Sequence, residues 1–352
     1  MGFQKKIKIS NKIVNNSNCF VVAEISGNHG GKIQNLKKII DELDNKFVDA
    51  IKIQAYQANS ITIKSNNNDF RIAKGNKWSK YKYLHELYKY AETPFNWLGK
   101  IFKYCKRKKI IVFASVFDLK SLQILENLKC PAYKIASPEI TDIHLIEEVA
   151  KTKKPIILSN GLASLKDLKL AVSSIRKKGN DKLIILKCTS SYPAETAKLN
   201  LNTMSDISKK FNCLSGFSDH TTNINIPIHA ASIGASMIEK HVCLKNKKTV
   251  DSFFSIDTQE FNKMAKIIKN NKKSEGKISY ELPSSSKKNL AGRKSIYVIE
   301  DIKKGENFTL KNIKPIRPSY GLHPKFFNKI LNKISKVNLS KGQRMKWNYV
   351  KK

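Results

Sequence analysis

With 352 residues, 41% of them hydrophobic, the chain has room for one large α/β domain and a small one, and it contains no run of about eighteen apolar residues that could cross a membrane. The formal charge of +38 invites a nucleic-acid reading, but nearly all of it is Lys, with Arg at only six positions, and base readers and phosphate clamps favour Arg forks. Lys, Asn and Ile are abundant together, as a coding bias spread over solvated helix faces would make them, so the excess is expected to draw in anionic substrates rather than to bind nucleic acid.

The amino-terminal run Met1-Gly2-Phe3-Gln4-Lys5-Lys6 lacks the apolar stretch of a secretion signal, and Lys6 does not fit a myristoylation site. From about residue 20 to 270, short β-rich runs alternate with longer amphipathic stretches. Strands are expected at 20–25, 50–54, 110–115, 132–136, 155–159, 183–188, 214–218 and 236–241, with helices such as 32–43, 145–151, 165–177 and 224–234 between them. That alternation predicts a closed (β/α)₈ barrel, since both the G-x-G-x-x-G fingerprint and the phosphate loop ending in Gly-Lys-Ser/Thr are absent. A long insertion at 55–93, rich in Asn, Lys and aromatics, follows the second strand, where barrel enzymes shape the substrate mouth. The barrel is expected to span 1–272, a polar linker 273–289, and a compact unit with short strands 290–352. The six scattered cysteines form no C-x-x-C pair, which fits reduced thiols in a cytoplasmic protein.

Chemistry is signalled by what ends the strands. Each finishes in polar residues: Glu24, Lys52 with Gln54, Ser115, Lys134 with Ser137, Ser159, Lys187 with Thr189, Ser218 with His220, and Glu239 with His241. Side chains two apart on a strand share a face, so Ser218 and His220 point together, as do Glu239 and His241. A Lys inside an apolar strand needs an anion, and Lys52 and Lys134, ringed by serines, read as a cradle for phosphate and carboxylate ahead of a salt bridge with a barrel carboxylate such as Glu24. His220 and His241, at adjacent strand ends and flanked by Asp219, Glu239 and Asp251, read as a shared metal site.

These motifs resemble the sialic acid synthase family. The residues that carry the resemblance are Ala23-Glu24-Ile25-Ser26-Gly27-Asn28-His29, Lys52-Ile53-Gln54, Tyr133-Lys134-Ile135-Ala136-Ser137, Lys187-Cys188-Thr189-Ser190-Ser191-Tyr192-Pro193, Ser218-Asp219-His220 and Glu239-Lys240-His241. The likeness extends over 7–350, and the stretch from Arg293 through Arg317-Pro318-Ser319-Tyr320-Gly321 is similar to the family's antifreeze-like (SAF) domain. Phe70-Arg71-Ile72, Gly75, Trp78 and Thr93-Pro94-Phe95-Asn96-Trp97 bring it nearest the pseudaminic acid branch, with neuraminate and legionaminate synthases as the alternative. The resemblance implies an enzyme that condenses phosphoenolpyruvate with an amino-sugar aldehyde. It implies Lys52, Lys134, Ser115, Ser137, Ser159, Ser191 and Ser218 as phosphoenolpyruvate ligands, and His220 and His241 as ligands of Mn²⁺ or Mg²⁺. Glu24, Tyr192, Gln54 and Asp251 would face the sugar or the reacting centre, and Arg317 would reach into the barrel of a partner in a domain-swapped homodimer.

Overall fold

Runs of Val, Ile, Leu and Ala flanked by helices form eight parallel strands: β1 (Phe20–Glu24), β2 (Ala50–Ala55), β3 (Ile111–Val116), β4 (Tyr133–Ile135), β5 (Ile156–Ser159), β6 (Leu183–Cys188), β7 (Leu214–Asp219) and β8 (Met237–Cys243). In this computed structural model, which describes residues 2–351, each strand pairs with the next and β8 closes on β1 from Met237↔Phe20 to His241↔Glu24. The barrel expected from the sequence is therefore present. Its strands are buried on both faces, as parallel strands covered by helices must be.

Helices return the chain on the outside and start where the sequence supplies a cap. Asp118, Asp142 and Ser164 accept from Ser121, Leu145 and Asp167 backbone N–H groups, and Asp257 caps Thr258–Glu275 through Gln259 and Glu260. That last helix runs past residue 272 to Glu275 and ends at Gly276, whose φ of +53° a Cβ would disfavour. A hairpin, Ile7–Ile9 with Lys12–Val14, adds Ile7, Ile9 and Val14 to the core of the barrel.

The chain divides into two units, Met1–Gly276 and Lys277–Lys352. The second has its own core of Ile296, Val298, Ile302, Phe308, Ile313 and Met345 beneath the antiparallel pair Ser295–Val298 and Ile313–Ile316. Gly321 is required there, because a Cβ would stand 2.6 Å from the Ile296 carbonyl oxygen. Among the described residues, no helix is long and apolar enough to cross a membrane.

Candidate active site

The register of the barrel sets the site. Neighbouring strands place Glu24 beside Lys52, Gln54 beside Ser115, Ser115 beside Lys134, Cys188 beside Ser218, Ser218 beside Glu239, and His241 beside Glu24. Paired residues of parallel strands share a face, so these side chains form one polar ring. Above it a cavity of about 610 Å³ is lined by Lys52, Gln54, Lys134, Ser137, Ser159, Tyr192, Ser218, His220, Glu239, His241 and Asp251. Ser115, fully buried, accepts from Lys52 Nζ at 3.0 Å.

The two lysines are paired with barrel carboxylates. Lys52 Nζ lies 2.7 Å from Glu24 Oε2 and 3.6 Å from Glu239 Oε1. Lys134 Nζ lies 3.0 Å from the same Glu239 oxygen, which also accepts from Ser218 Oγ at 3.2 Å. Burial alone would raise the Glu239 pKa, but the lysines outweigh it and hold the carboxyl at about 2. Burial and the neighbouring Glu239 charge push Glu24 the other way, above the usual carboxylate range. Glu24 Oε1, Glu239 Oε2 and Ser159 Oγ are buried with no hydrogen-bond partner. Unspent acceptors and a donor beside two cations suit a site that binds a polar ligand or water.

His220 and His241 stand with ring centroids 5.3 Å apart, and Phe254 packs edge-on against both. His220 Nδ1 meets the Thr189 carbonyl at 3.0 Å, which can only accept, so Nδ1 carries the proton and Nε2 is free. His241 Nδ1 meets Ser26 Oγ at 3.2 Å. Burial, with the neighbouring His220, pulls the His241 pKa well below its usual range, leaving a neutral ring with a lone pair to give. Two imidazoles engaged through Nδ1 leave their Nε2 atoms to face a divalent cation. Among the described residues, no group of three or more His, Cys, Asp and Glu side chains stands ready to enclose a metal, so water and substrate oxygens would complete its shell.

The structure separates some residues that the sequence grouped together. Ser191 is exposed and donates to the Pro193 carbonyl, while Ser190 lines the cavity. On β6 it is Cys188 that faces inward, and Lys187 donates to backbone and to Thr189 away from the ring. Asp219 also turns outward, where it holds the fully buried Lys240 at 2.5 Å. Arg317 belongs to the second unit. Glu239, read in the sequence as a strand-end residue beside His241 and not as a partner of the lysines, is the carboxylate that joins them both. Glu139, not anticipated, lines the cavity with a buried unpartnered oxygen, and burial raises its pKa to about 7.

The insertion supplies the opposite wall. Ile72, Leu87 and Ala91 form a small cluster with Val250, and Trp78, Leu84 and Tyr88 pack on it. Trp78 donates to the Val250 carbonyl at 2.9 Å and meets Tyr192 at 5.4 Å between centroids. The cavity is thus charged at the strand ends and apolar beneath the insertion.

Comparison with known proteins agrees with this arrangement. A family model described as the NeuB family matches residues 39–280, and a SAF domain model matches 293–350. The chain is 38% identical over 328 residues to a pseudaminic acid synthase of Campylobacter jejuni subsp. jejuni serotype O:23/36 (strain 81-176), covering 93% of this chain and 95% of that one. It is 40% identical over 313 residues to a pseudaminic acid synthase of Helicobacter pylori (strain ATCC 700392 / 26695), covering 88% and 92%. A solved N-acetylneuraminic acid synthetase from Leptospira borgpetersenii serovar Hardjo-bovis, in complex with citrate, superposes with a TM-score of 0.70 at 29% identity over 82% of this chain and 96% of that one.

Proposed function

The chain belongs to the NeuB family, and from that premise we propose that it is a pseudaminic acid synthase. It condenses phosphoenolpyruvate with 2,4-diacetamido-2,4,6-trideoxy-L-altrose and water to give pseudaminic acid and phosphate. The observation that carries the reading is the convergence of Lys52, Lys134, His220 and His241 on one cavity at the carboxyl end of the barrel. The apolar wall of Ile72, Leu84, Leu87 and Val250 supports a deoxygenated acceptor with acetamido methyl groups, because hydroxyl groups there would lose water without gaining partners. Neuraminate or legionaminate synthase activity is the second reading, favoured only by the barrel motifs that the family shares.

In this reading Lys52 and Lys134 bind the carboxylate and phosphate of phosphoenolpyruvate, with hydroxyls of Ser115, Ser137, Ser159 and Ser218 around them. Fixing both ends of that molecule orients its C3 towards the aldehyde carbon of the open-chain sugar. A divalent cation, Mn²⁺ or Mg²⁺, held by His220 and His241 would supply Lewis-acid polarisation of the aldehyde oxygen. As C3 bonds to the aldehyde carbon, C2 becomes cationic, water adds there, and the tetrahedral product expels phosphate. Glu24, beside Lys52, stabilises the positive charge or steers the water. Gln54, Tyr192 and Asp251 line the sugar's side of the cavity.

A domain-swapped homodimer, with Arg317 completing a partner's barrel, belongs to the same proposal. The exposed linker side chains Ile278 and Tyr280, at 94% and 99%, support a partner covering them. Six unpaired cysteines, all buried, support a reducing, cytoplasmic location.

The test is phosphate release from phosphoenolpyruvate with the 6-deoxy-altro-diacetamido, legionaminic-type and N-acetylmannosamine acceptors. The first should be turned over fastest, chelation should abolish turnover, and Mn²⁺ should restore it. Faster release with either other acceptor would transfer the assignment to that branch.

A further inference from the structure

The turn that follows β1, Ser26–His29, is fastened more firmly than a connection needs to be. Asn28 donates from Nδ2 to the Val242 carbonyl at 2.9 Å and to Ser255 Oγ at 2.8 Å, and its Oδ1 accepts from Thr249 Oγ1 at 2.6 Å. Gly27 lies so near Val250 that a Cβ would come within 2.3 Å of it. The turn is thereby clamped to the end of β8 and the segment after it, and the clamp holds Ser26 at φ +44°, a left-handed conformation that disfavours any residue with a Cβ. A glycine would sit there without strain. A serine held in a costly conformation by its surroundings directs attention to its hydroxyl.

That hydroxyl stands between two residues of the site. It donates to Asp251 Oδ2 at 2.5 Å, and the same carboxylate oxygen accepts from the Gly27 N–H at 3.3 Å. With its one proton given to Asp251, Ser26 Oγ has only lone pairs to offer His241 Nδ1, 3.2 Å away. The proton between them therefore belongs to Nδ1, and Nε2 of His241 is left bare. His220 likewise engages through Nδ1, which donates to the Thr189 carbonyl. One ring is oriented by backbone, the other by a serine and the aspartate behind it.

We propose that Ser26 is a positioning residue that, held by Asp251, fixes the His241 ring in its Nδ1-protonated tautomer and so presents Nε2 to the cation. The inference rests on the reading of His241 as a cation ligand. Partners that orient ligating imidazoles typically contribute about 10–100-fold in metal affinity. Ser26→Gly removes the hydroxyl and relieves the backbone at once, so the released strain offsets the cost to Asp251 of losing a donor and the variant is expected to fold.

Two measurements on the full-length protein test the proposal. The first is ¹⁵N NMR of the His241 ring without metal: the wild type should show the Nδ1-protonated form, and Ser26→Gly a mixture of tautomers. The second is Mn²⁺ titration followed by electron paramagnetic resonance, in which Ser26→Gly should bind about 10–100-fold more weakly. Ser26→Ala, which keeps the Cβ, should match Ser26→Gly in affinity and melt at a lower temperature than it. An unchanged tautomer together with unchanged Mn²⁺ affinity in Ser26→Gly would overturn the proposal. A wild-type protein that binds no Mn²⁺ and turns over after chelation would instead remove the cation reading, and the role of Ser26 with it.

Discussion

Lys52 sits between two carboxylates and Lys134 shares one of them, so neither lysine is an unpaired charge in the barrel. Removing one partner from such a cluster leaves the other buried and uncompensated. Lys52→Ala is therefore expected to lower stability by about 3–5 kcal/mol, measured by urea unfolding. Adding Glu24→Gln to it should return much of that loss and still leave the enzyme inactive, which separates folding from catalysis. Ser159 is the opposite case, because its hydroxyl has no partner to lose. Ser159→Ala should change stability by no more than about 0.5 kcal/mol. It should raise KM for phosphoenolpyruvate roughly tenfold, the worth of one hydrogen bond to a charged group. The lysines, histidines and inward serines of the strands were legible because a charged or hydroxyl residue closing an apolar run is costly to bury unless it faces a polar cavity. Ser191 was not, since alternation ends with the strand and the loop beyond β6 turns Ser190 inward instead.

At the scale of elements, β6 shows why alternation can mislead. Leu183, Ile184, Ile185 and Leu186 are all apolar and all buried, so nothing in the run tells the inner face from the outer. Pairing with β7 decides it, by setting Cys188 beside Ser218. On β7, Gly216 is demanded by packing: a Cβ would stand 2.3 Å from the Met237 carbonyl oxygen of β8. Gly216→Ala is expected to cost about 1–3 kcal/mol or more, read as a lower thermal midpoint, because neither strand can yield without breaking the barrel. The insertion is an element whose place in the sequence was plain and whose inner face was not. Trp78 joins it to the Val250 segment and to Tyr192. Trp78→Ala should raise KM for the sugar roughly 10–100-fold, the worth of one large apolar contact, with KM for phosphoenolpyruvate nearly unchanged.

At the scale of the whole molecule, the question is where Arg317 acts. If the barrel of one protomer takes Arg317 from its partner, Lys134→Ala and Arg317→Ala protomers, each inactive alone, should regain activity when mixed and reassociated. A mixed dimer then contains one site built entirely from wild-type residues. Absence of any recovery in mixtures shown to contain mixed dimers would place Arg317 and Lys134 of each site on the same chain. The sequence by itself determined the eight strands, their polar ends and the small second unit, because burial forces apolar periodicity and makes every inward charge conspicuous. Tertiary structure alone decided that both lysines meet on Glu239, that Cys188 and Ser190 rather than Lys187 and Ser191 turn inward, and that Ser26 links His241 to Asp251. Those facts depend on strand register and on loops meeting across more than two hundred residues of chain, where local periodicity carries no information.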